Sequence, residues 1–237
     1  MQARAILLDI EGTTTPVDFV YQVLFPYARR HLGAFLAARR GDDEVRADLA
    51  RLRSGRDDDE RAGLAPPAWG DGAEAEVAYA LWLMDRDRKS TGLKSLQGRI
   101  WEAGYRSGEL LSQVYDDVPR AFARWTSQGK TLAIFSSGSV LAQRLLFAHT
   151  TAGDLTGYLS AYFDTTTGPK KEAASYARIA AELGLPPASV TFLSDVTPEL
   201  DAARQAGVRT ALCVRPGNAP AEAGAHRVIR TFDEMPA

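Results

Sequence analysis

The feature that most constrains this chain is a run of four apolar residues, Ala5–Leu8, that leads directly into Asp9 and, two positions later, into Glu11. An uninterrupted apolar run bounded by turn residues is typical of a strand buried on both faces of a parallel sheet. Asp9 would then lie at the carboxyl end of this strand, where open α/β sheets bind ligands. The alternative is a strand followed by an acidic turn, in which Gly12 supplies the bend.

A carboxylate at this position has a specific chemical use. Asp9 can attack phosphorus as a nucleophile, and a divalent cation beside it would offset the negative charge of a phosphate. Glu11 lies two positions further along the extended chain and can reach the same reacting centre as an acid or base. The stretch therefore predicts phosphate chemistry, provided that the rest of the chain supplies cation ligands and positive charge.

The composition sets limits on compartment and partners. The 237 residues are 45% hydrophobic and 24% charged with a formal net charge of -2, so nothing attracts the whole chain to nucleic acid or anionic membranes. The single cysteine, Cys213, lies in an apolar run and predicts a core residue, with no disulfide or cysteine-rich metal site. Because neither a leader-like segment nor a run of about 20 apolar residues occurs, we expect a cytoplasmic protein.

From residue 16 to residue 115 the apolar spacing is helical, and no segment has the short, β-branched pattern of a buried strand. A block of about a hundred residues is too long for a simple crossover between strands. The sequence therefore predicts an all-helical cap domain inserted after the first strand, with residues 1–15 and 116–237 forming the core. Within the insertion, Ser54–Glu74 is rich in acids, prolines and glycines and predicts a mobile surface loop.

Strands and helices alternate after residue 116. Apolar strands are predicted at Thr131–Phe135, Tyr162–Phe163, Val190–Leu193 and Val208–Val214, with a helical segment between successive strands. This alternation with short links predicts right-handed crossovers and a parallel sheet. The predicted fold class is therefore α/β, with a Rossmann-like parallel sheet as its core.

Polar side chains follow three of the predicted strands, and a lysine follows a Gly-Pro loop that leads into a helix. These residues are Asp9, Glu11, Ser136, Ser137, Lys170, Asp195 and Glu199. The carboxyl ends of parallel strands share one edge of the sheet, so residues far apart in sequence can converge there. Two carboxylates can hold Mg2+, serine hydroxyls suit phosphate oxygens, and a lysine offsets charge during phosphoryl transfer.

Each of these residues also has a purely structural interpretation. Ser136 and Ser137 are residue types that commonly form turns and helix caps. Lys170 on its own fits a solvated surface charge, and Asp195 fits an N-cap for the helix that begins near Pro198. Their occurrence in this order after successive strands favours the functional interpretation.

At these positions the chain resembles the four motifs of the haloacid dehalogenase-like hydrolases. The matching segments are Asp9-Ile10-Glu11-Gly12-Thr13-Thr14, Ser136-Ser137-Gly138-Ser139, Lys170 and Leu193-Ser194-Asp195-Val196-Thr197. Most phosphatases of that superfamily carry a second Asp two positions after the nucleophile, whereas this chain carries Glu11. This departure resembles the enolase-phosphatase (acireductone synthase) family of methionine salvage. So do the segments Leu24-Phe25-Pro26-Tyr27, Asp87-Arg88-Lys89, Leu96-Gln97-Gly98, Phe163-Asp164-Thr165 and Val214-Arg215-Pro216-Gly217-Asn218-Ala219.

The resemblance implies a two-step reaction on 2,3-diketo-5-methylthiopentyl-1-phosphate, in which enolisation precedes removal of the phosphate and leaves the acireductone. It also implies one Mg2+ per subunit. Asp9 would be the phosphoryl acceptor and a metal ligand, and the backbone carbonyl of Glu11 and the carboxylate of Asp195 would complete the protein ligands. By the same resemblance Ser136, Ser137 and Lys170 bind substrate, and Glu199 supports the metal shell or Lys170.

The helical insertion would act as a lid that excludes water from the phosphate edge. The candidates for substrate contact from this insertion are Arg88, Lys89, Lys94 and Gln97, although a charged helix face in solvent explains the same pattern. We expect a monomer whose partner is a small phosphorylated diketone, with no nucleic acid or membrane partner.

Other functions remain open from the sequence. A Mg2+-dependent phosphatase or phosphomutase acting on another phosphoester would use the same scaffold, and a non-catalytic module that binds a phosphorylated ligand would carry the same motifs. A dehalogenase fits less well, since that chemistry does not need the metal for which Asp195 is positioned. Glu11 favours the two-step reaction, because a side chain one methylene longer than Asp can serve both a carbon acid and the ester oxygen.

Overall fold

The computed structural model describes residues 3–70, 72–88 and 90–235. Within these ranges the chain forms one sheet of six strands in the order β3-β2-β1-β4-β5-β6, and every neighbouring pair is parallel. The strands are β1 (Ala5–Leu8), β2 (Thr131–Phe135), β3 (Ala161–Phe163), β4 (Val190–Ser194), β5 (Arg209–Cys213) and β6 (Arg227–Ile229). The predicted α/β class with a Rossmann-like parallel sheet is confirmed.

β1 lies in the middle of the sheet, and its apolar run explains why. The four residues Ala5–Leu8 are all essentially inaccessible to solvent, as expected for a strand paired on both edges and covered on both faces. On one face, Leu7 packs in a cluster with Tyr176 and Leu200 from two helices. The chain runs outward from β1 in both directions, so the order of the strands reverses at the boundary between β1 and β4. Ligands in such sheets bind at this switch point.

Five helices accompany the sheet in the described part of the chain. They are α1 (Val17–Phe19), α6 (Asp117–Ser127), α7 (Val140–Ala148), α8 (Ala173–Glu182) and α9 (Thr197–Gln205). Ser139 is the N-cap of α7, because its hydroxyl accepts the backbone N–H of Ala142 at 3.3 Å in the first turn. The short strand β6 follows a stretch rich in Pro, Gly and Ala, and the sequence patterns did not predict it.

Four further helices form a separate compact unit, residues 22–109, and the chain up to Tyr21 and from Leu110 onward forms the other unit. The helices of this helical unit are α2 (Phe25–Arg39), α3 (Asp43–Arg61), α4 (Ala73–Asp85) and α5 (Thr91–Ser107). A π-helical turn, Val20–Leu24, precedes α2. The all-helical character predicted for the insertion is confirmed, whereas its predicted boundaries at residues 15/16 and 115/116 stay a prediction.

The predicted mobile loop at Ser54–Glu74 is wrong over its first part, because α3 continues through the acidic run to Arg61. Charge pairs one turn apart, such as Arg56 with Glu60 at 2.6 Å, support the helix. Asp59 points inward and is buried, where it accepts the hydroxyl of Tyr79 at 2.8 Å. Across the described residues, no helix is both long enough and apolar enough to cross a membrane.

Candidate active site

Asp9 lies at the carboxyl end of β1, level with the ends of both neighbouring strands. Leu8 is aligned with Ile134 of β2 and with Leu193 of β4, and the backbone N–H of Asp9 donates to the carbonyl oxygen of Leu193 at 3.0 Å. Only 5% of Asp9 is exposed. Because parallel strands end at the same edge, the residues that follow β2 and β4 share this edge with Asp9.

Three donors hold the carboxylate of Asp9. Its Oδ1 accepts the backbone N–H of Ile10 at 2.8 Å, and its Oδ2 accepts the hydroxyl of Ser194 at 2.9 Å. Oδ2 also lies 2.7 Å from the Nζ of Lys170. Ser194 is itself oriented, because its Oγ accepts the backbone N–H of Val196 at 3.1 Å. The carboxylate is therefore fixed in one orientation before substrate arrives, which is the preorganisation that a nucleophile needs.

Lys170 is a buried ammonium group that bridges two carboxylates. Its Nζ lies 2.7 Å from Oδ2 of Asp9 and 2.6 Å from Oε2 of Glu199, and 9% of its side chain is exposed. Burial by itself lowers the pKa of a lysine, but the charges of the two carboxylates outweigh it and raise the pKa of Lys170 above its usual value. Tyr176 donates its hydroxyl to the carbonyl oxygen of Lys170 at 2.6 Å and so fixes the loop. The alternative of a solvated surface lysine is wrong.

The acids around Lys170 exceed the positive charge that it supplies. Burial, and then the charge of Asp9, raise the pKa of Asp195 to about 7 and the pKa of Glu199 to about 7. Lys170 lowers both pKa values without compensating for these effects. Glu11 also raises the pKa of Asp195 through its charge, so it belongs to the same electrostatic environment. The edge of the sheet therefore carries a local excess of negative charge.

This excess charge and its oxygen donors fit a hard divalent cation such as Mg2+. Among the residues that the structure describes, no group of three or more Asp, Glu, His and Cys side chains forms a cluster that encloses an ion by itself. Mg2+ does not require one, since it is usually held by one or two carboxylates and keeps several waters. Asp9 directly follows β1 and Asp195 directly follows the adjacent strand β4, so they supply two carboxylates of that kind.

Gly12 allows the loop after β1 to approach Asp195 closely. Its φ is +66°, in the region that favours glycine, and a Cβ at this position would lie 2.2 Å from Oδ2 of Asp195. No other residue type fits that space without moving Asp195. The bend that the structural interpretation assigned to Gly12 therefore exists, and it brings the backbone next to a candidate metal ligand.

Three successive carbonyl groups of this loop are held by three different partners. Gly12 accepts from Nδ2 of Asn218 at 2.9 Å, Thr13 from Nε of Arg215 at 3.2 Å, and Thr14 from the backbone N–H of Tyr115 at 3.0 Å. The loop that carries Glu11 is therefore fixed to the segments that follow β5 and precede α6.

The two serines after β2 lie at the same edge of the sheet. Ser136 is half-buried and Ser137 is exposed. The Oγ of Ser136 accepts the backbone N–H of Gly138 at 3.2 Å, which is the turn role that the structural interpretation assigned to it. That bond leaves the hydroxyl proton available to donate to a phosphate oxygen. The substrate-binding role of both serines stays a prediction.

Asp195 is not a helix cap, so its structural interpretation is wrong. The N-cap of α9 is Val196, and no side chain forms a capping hydrogen bond there. The carboxylate of Asp195 lies instead against Gly12, on the loop that follows Asp9.

Sequence reasoning missed two residues at this edge. Ser194 lies in one of the motif segments, but the sequence pattern assigns a role only to its neighbour Asp195. The alignment of β4 with β1 could have identified Ser194, because it brings this hydroxyl to Asp9. Asn218 belongs to a segment that resembles the family, but the resemblance assigns it no role of its own. Nothing in the sequence pattern indicates that its amide reaches Gly12, because that bond joins residues more than 200 positions apart.

The candidates for substrate contact in the helical unit have varied surroundings. Arg88 forms an ion pair with Asp59 inside this unit. Lys94 is half-buried and Gln97 is 7% exposed. Lys89 lies outside the described residues.

Comparison with known proteins identifies relatives over nearly the whole chain. Residues 3–207 match the family model described as haloacid dehalogenase-like hydrolase. Enolase-phosphatase E1 of Synechococcus elongatus is 58% identical over 231 residues, which cover 97% of this chain and 96% of that protein. Enolase-phosphatase E1 of Sorangium cellulosum is 52% identical over 237 residues, covering 99% and 98%.

Solved structures include a close structural match. The crystal structure of the UTR4 protein (Unknown transcript 4 protein) from Saccharomyces cerevisiae superposes with a TM-score of 0.81 at 36% sequence identity. The match covers 99% of this chain and 100% of that one.

Proposed function

The chain belongs to the haloacid dehalogenase-like hydrolase family, and we propose that it is a bifunctional enolase-phosphatase of methionine salvage. Its substrate is 2,3-diketo-5-methylthiopentyl-1-phosphate, and its products are the acireductone 1,2-dihydroxy-3-keto-5-methylthiopentene and phosphate. The observation that carries this proposal is the charge cluster of Asp9, Lys170, Asp195 and Glu199 at one sheet edge, with Glu11 two positions after Asp9. Relatives named enolase-phosphatase, up to 58% identical, support it.

We assign the phosphoryl-transfer step to Asp9. Its carboxylate attacks the phosphorus, a bond forms between the two, and the bond to the ester oxygen breaks. The contacts of Asp9 with Lys170 and Ser194 support this role, since they orient the carboxylate. Lys170 remains beside the transferred group and offsets its charge. Water then attacks the phosphoryl-aspartate, which releases phosphate and regenerates Asp9.

Hydrolases of this kind generally use Mg2+, and we propose one Mg2+ per subunit here. The carboxylates of Asp9 and Asp195 and the backbone carbonyl of Glu11 would hold it. When bound, the ion supplies positive charge that offsets the phosphate charge and polarises a neighbouring oxygen. The raised pKa of Asp195, caused by burial and the nearby Asp9, supports the need for a cation at this position.

We assign the proton transfers to Glu11. Its carboxylate removes a proton from the carbon beside a carbonyl group and leaves an enolate, which becomes the enol when its oxygen takes a proton from solvent. The protonated Glu11 then gives its proton to the ester oxygen that leaves phosphorus. The hydrogen bond from the backbone N–H of Gly12 to the carbonyl oxygen of Thr15, 2.9 Å long, holds the loop that carries Glu11. If the extra methylene matters, Glu11→Asp slows enolisation; full rates for both steps in that variant would contradict this account.

The decisive experiment follows two signals at once. Purified protein is incubated with the diketone phosphate and Mg2+, while ultraviolet absorbance of the enediol product and free phosphate are recorded together. The proposal predicts that the enediol appears before or with phosphate. Phosphate release without any enediol would identify a simple phosphatase, and the absence of both would leave a module that only binds a phosphorylated ligand.

Several finer expectations stay predictions. These are the substrate-binding roles of Ser136 and Ser137, the contribution of Arg88, Lys89, Lys94 and Gln97, and the support of the metal shell by Glu199. The monomeric state and the cytoplasmic location also remain to be measured, by sedimentation and by fractionation.

A further inference from the structure

Asn218, in the segment after β5, uses both hydrogens of its side-chain amide to hold backbone near the site. Its Nδ2 donates to the carbonyl oxygen of Gly12 at 2.9 Å and to that of Cys213 at 3.3 Å. Carbonyl oxygens accept and never donate, so the group that faces them must be the NH2 end of the amide. The orientation of Asn218 is therefore fixed by its partners, and its Oδ1 points away from both carbonyls.

The Oδ1 of Asn218 is a buried acceptor without a donor among the described residues. Buried polar atoms of this kind are uncommon, and each one calls for a specific explanation, such as an ion or a water molecule. The surroundings of this atom decide which explanation applies here.

The unpaired Oδ1 of Asn218 lies near the carboxylate of Asp195. A Cβ on Gly12 would lie 2.2 Å from Oδ2 of Asp195 and 3.0 Å from Oδ1 of Asn218, so both oxygens lie within 3.0 Å of one point. In the ionised form that binds a cation, the carboxylate of Asp195 is an acceptor like the amide oxygen of Asn218, and neither has a proton to offer the other. A molecule with hydrogens to donate, or a cation that carries such molecules, satisfies both.

We propose that Asn218 is a positioning residue of the metal site, and that its Oδ1 accepts a hydrogen bond from water in the hydration shell of the cation next to Asp195. This inference rests on the proposed Mg2+ site of the enolase-phosphatase. Mg2+ dehydrates reluctantly and keeps several waters, so an acceptor beside one of its ligands restrains that shell. Partners outside the direct ligands commonly tune metal affinity.

A purely structural role is the competing explanation, because Nδ2 of Asn218 also holds Gly12. Two variants separate these roles. Asn218→Ala removes the acceptor and the donor, whereas Asn218→Asp keeps an oxygen in the Oδ1 position, removes the donor and adds a negative charge. An acceptor role predicts that Asp rescues what Ala loses, with the added negative charge favouring the cation further.

The test measures binding of Mg2+ alone, without substrate, by calorimetry, and binding of Mn2+ by electron paramagnetic resonance. Circular dichroism and thermal melting in chelator establish that each variant is folded. We expect Asn218→Ala to weaken Mg2+ binding about 10-fold, and Asn218→Asp to bind at least as tightly as the unmodified protein. If Asn218→Ala does not fold, Asn218→Leu takes its place, because it fills a similar volume without an acceptor. Weakened Mg2+ binding in Asn218→Leu that Asn218→Asp does not share supports the acceptor role, and unchanged binding overturns it.

The outcomes separate this inference from the proposed function. If the unmodified protein binds neither Mg2+ nor Mn2+, the metal site of the proposed function fails. If it binds Mg2+ and both variants lose affinity equally, Asn218 acts only through its bond to Gly12, and the inference is overturned. Unchanged affinity in Asn218→Ala overturns it as well.

Discussion

Buried carboxylates occur in two regions of this chain, the helical unit and the carboxyl edge of the sheet, and the two sets have different partners. In the helical unit, each buried acid has at least one arginine. The pairs are Asp48 with Arg51 and Arg99, Asp59 with Arg88, and Glu76 with Arg40. At the sheet edge, Asp9 and Glu199 share Lys170, and Asp195 adds a further carboxylate nearby.

Asp48 illustrates a buried carboxylate whose charge is fully compensated. None of its surface is exposed. Arg51 lies 2.6 Å from Oδ1, while Arg99 at 3.0 Å and the hydroxyl of Ser95 at 2.7 Å bind Oδ2. These donors come from α3 and α5, so the buried charge joins the two helices. Its partners indicate a role in holding the helical unit together.

The acids at the sheet edge lack this compensation. Burial raises the pKa of Asp195 to about 7 and that of Glu199 to about 7, and a single lysine does not reverse either change. Perturbed acids in one cluster indicate a functional site more often than a structural one. Burial of a carboxylate therefore does not by itself indicate function in this chain. A shortage of positive charge around a buried carboxylate does.

The largest expected difference between the two regions is between two matched substitutions of Asp by Asn, one at the sheet edge and one in the helical unit. Asp9→Asn removes the nucleophile and should reduce phosphate release by roughly 10^4-fold or more. Asp48→Asn should leave turnover per folded molecule unchanged but reduce the free energy of unfolding by about 3 kcal/mol, because arginines lose their buried partner. Phosphate assays and urea unfolding measure both. Equal loss of turnover in the two variants would contradict the comparison.

Removing the positive partner should have the next largest effect. Lys170→Met leaves Asp9 and Glu199 without their shared ammonium and the transferred phosphate without a point charge, so kcat/KM should fall by about 10^2 to 10^3-fold. The matched control, Arg99→Met, leaves Asp48 with Arg51 and should lower stability while kcat/KM remains. Lys170→Met with full kcat/KM would exclude the proposed role of the lysine.

A third pair compares single hydroxyl groups. Ser194→Ala removes the 2.9 Å bond to Asp9, and Ser95→Ala removes the 2.7 Å bond to Asp48. A hydrogen bond to a charged group contributes about 1.5 kcal/mol or more, so kcat should fall about 10-fold in Ser194→Ala with little change in KM. Ser95→Ala should lower only the unfolding free energy. Unchanged kcat in Ser194→Ala would mean that Lys170 and the backbone N–H of Ile10 orient Asp9 without it.

The last comparison concerns the pH dependence of stability in protein treated with chelator. Asp195 and Glu199 have usual values of 3.8 and 4.5, and burial raises the pKa of each to about 7 in the folded chain. The folded state then holds protons that the unfolded state releases. Their stabilising contribution is complete below the unfolded values and is lost as pH rises through about 7.

Melting temperatures across this pH range test that expectation. Without divalent cations, Tm should fall as pH rises from about 4 toward 7. Saturating Mg2+ should reduce the fall, since it favours the ionised carboxylates. Asp195→Asn provides the control, because it removes one of the two titrating groups. A Tm that responds identically with and without Mg2+ would indicate that these acids do not face a cation.

Much of the fold follows from local pattern. β2 was predicted with its observed bounds, and β4 differs only by including Ser194, because each is an apolar run that ends at a polar turn. Prediction failed where charge and tertiary packing compete. The acidic run in α3 has the composition of a solvated loop. In the structure, however, Asp59 is buried and accepts a hydrogen bond from the hydroxyl of Tyr79 in α4, 20 positions along the chain.

The sequence by itself determined that carboxylates follow the central strands, because strand ends and turns are set by neighbouring residues. It also determined the order in which the candidate chemistry appears along the chain. Only the tertiary structure decided that Lys170 is buried between Asp9 and Glu199, and that the amide of Asn218 holds Gly12 with its Oδ1 near Asp195. Desolvation and hydrogen bonding between residues distant in sequence determine where these side chains lie. Neither effect produces a periodic pattern of residues that could be recognised in the sequence.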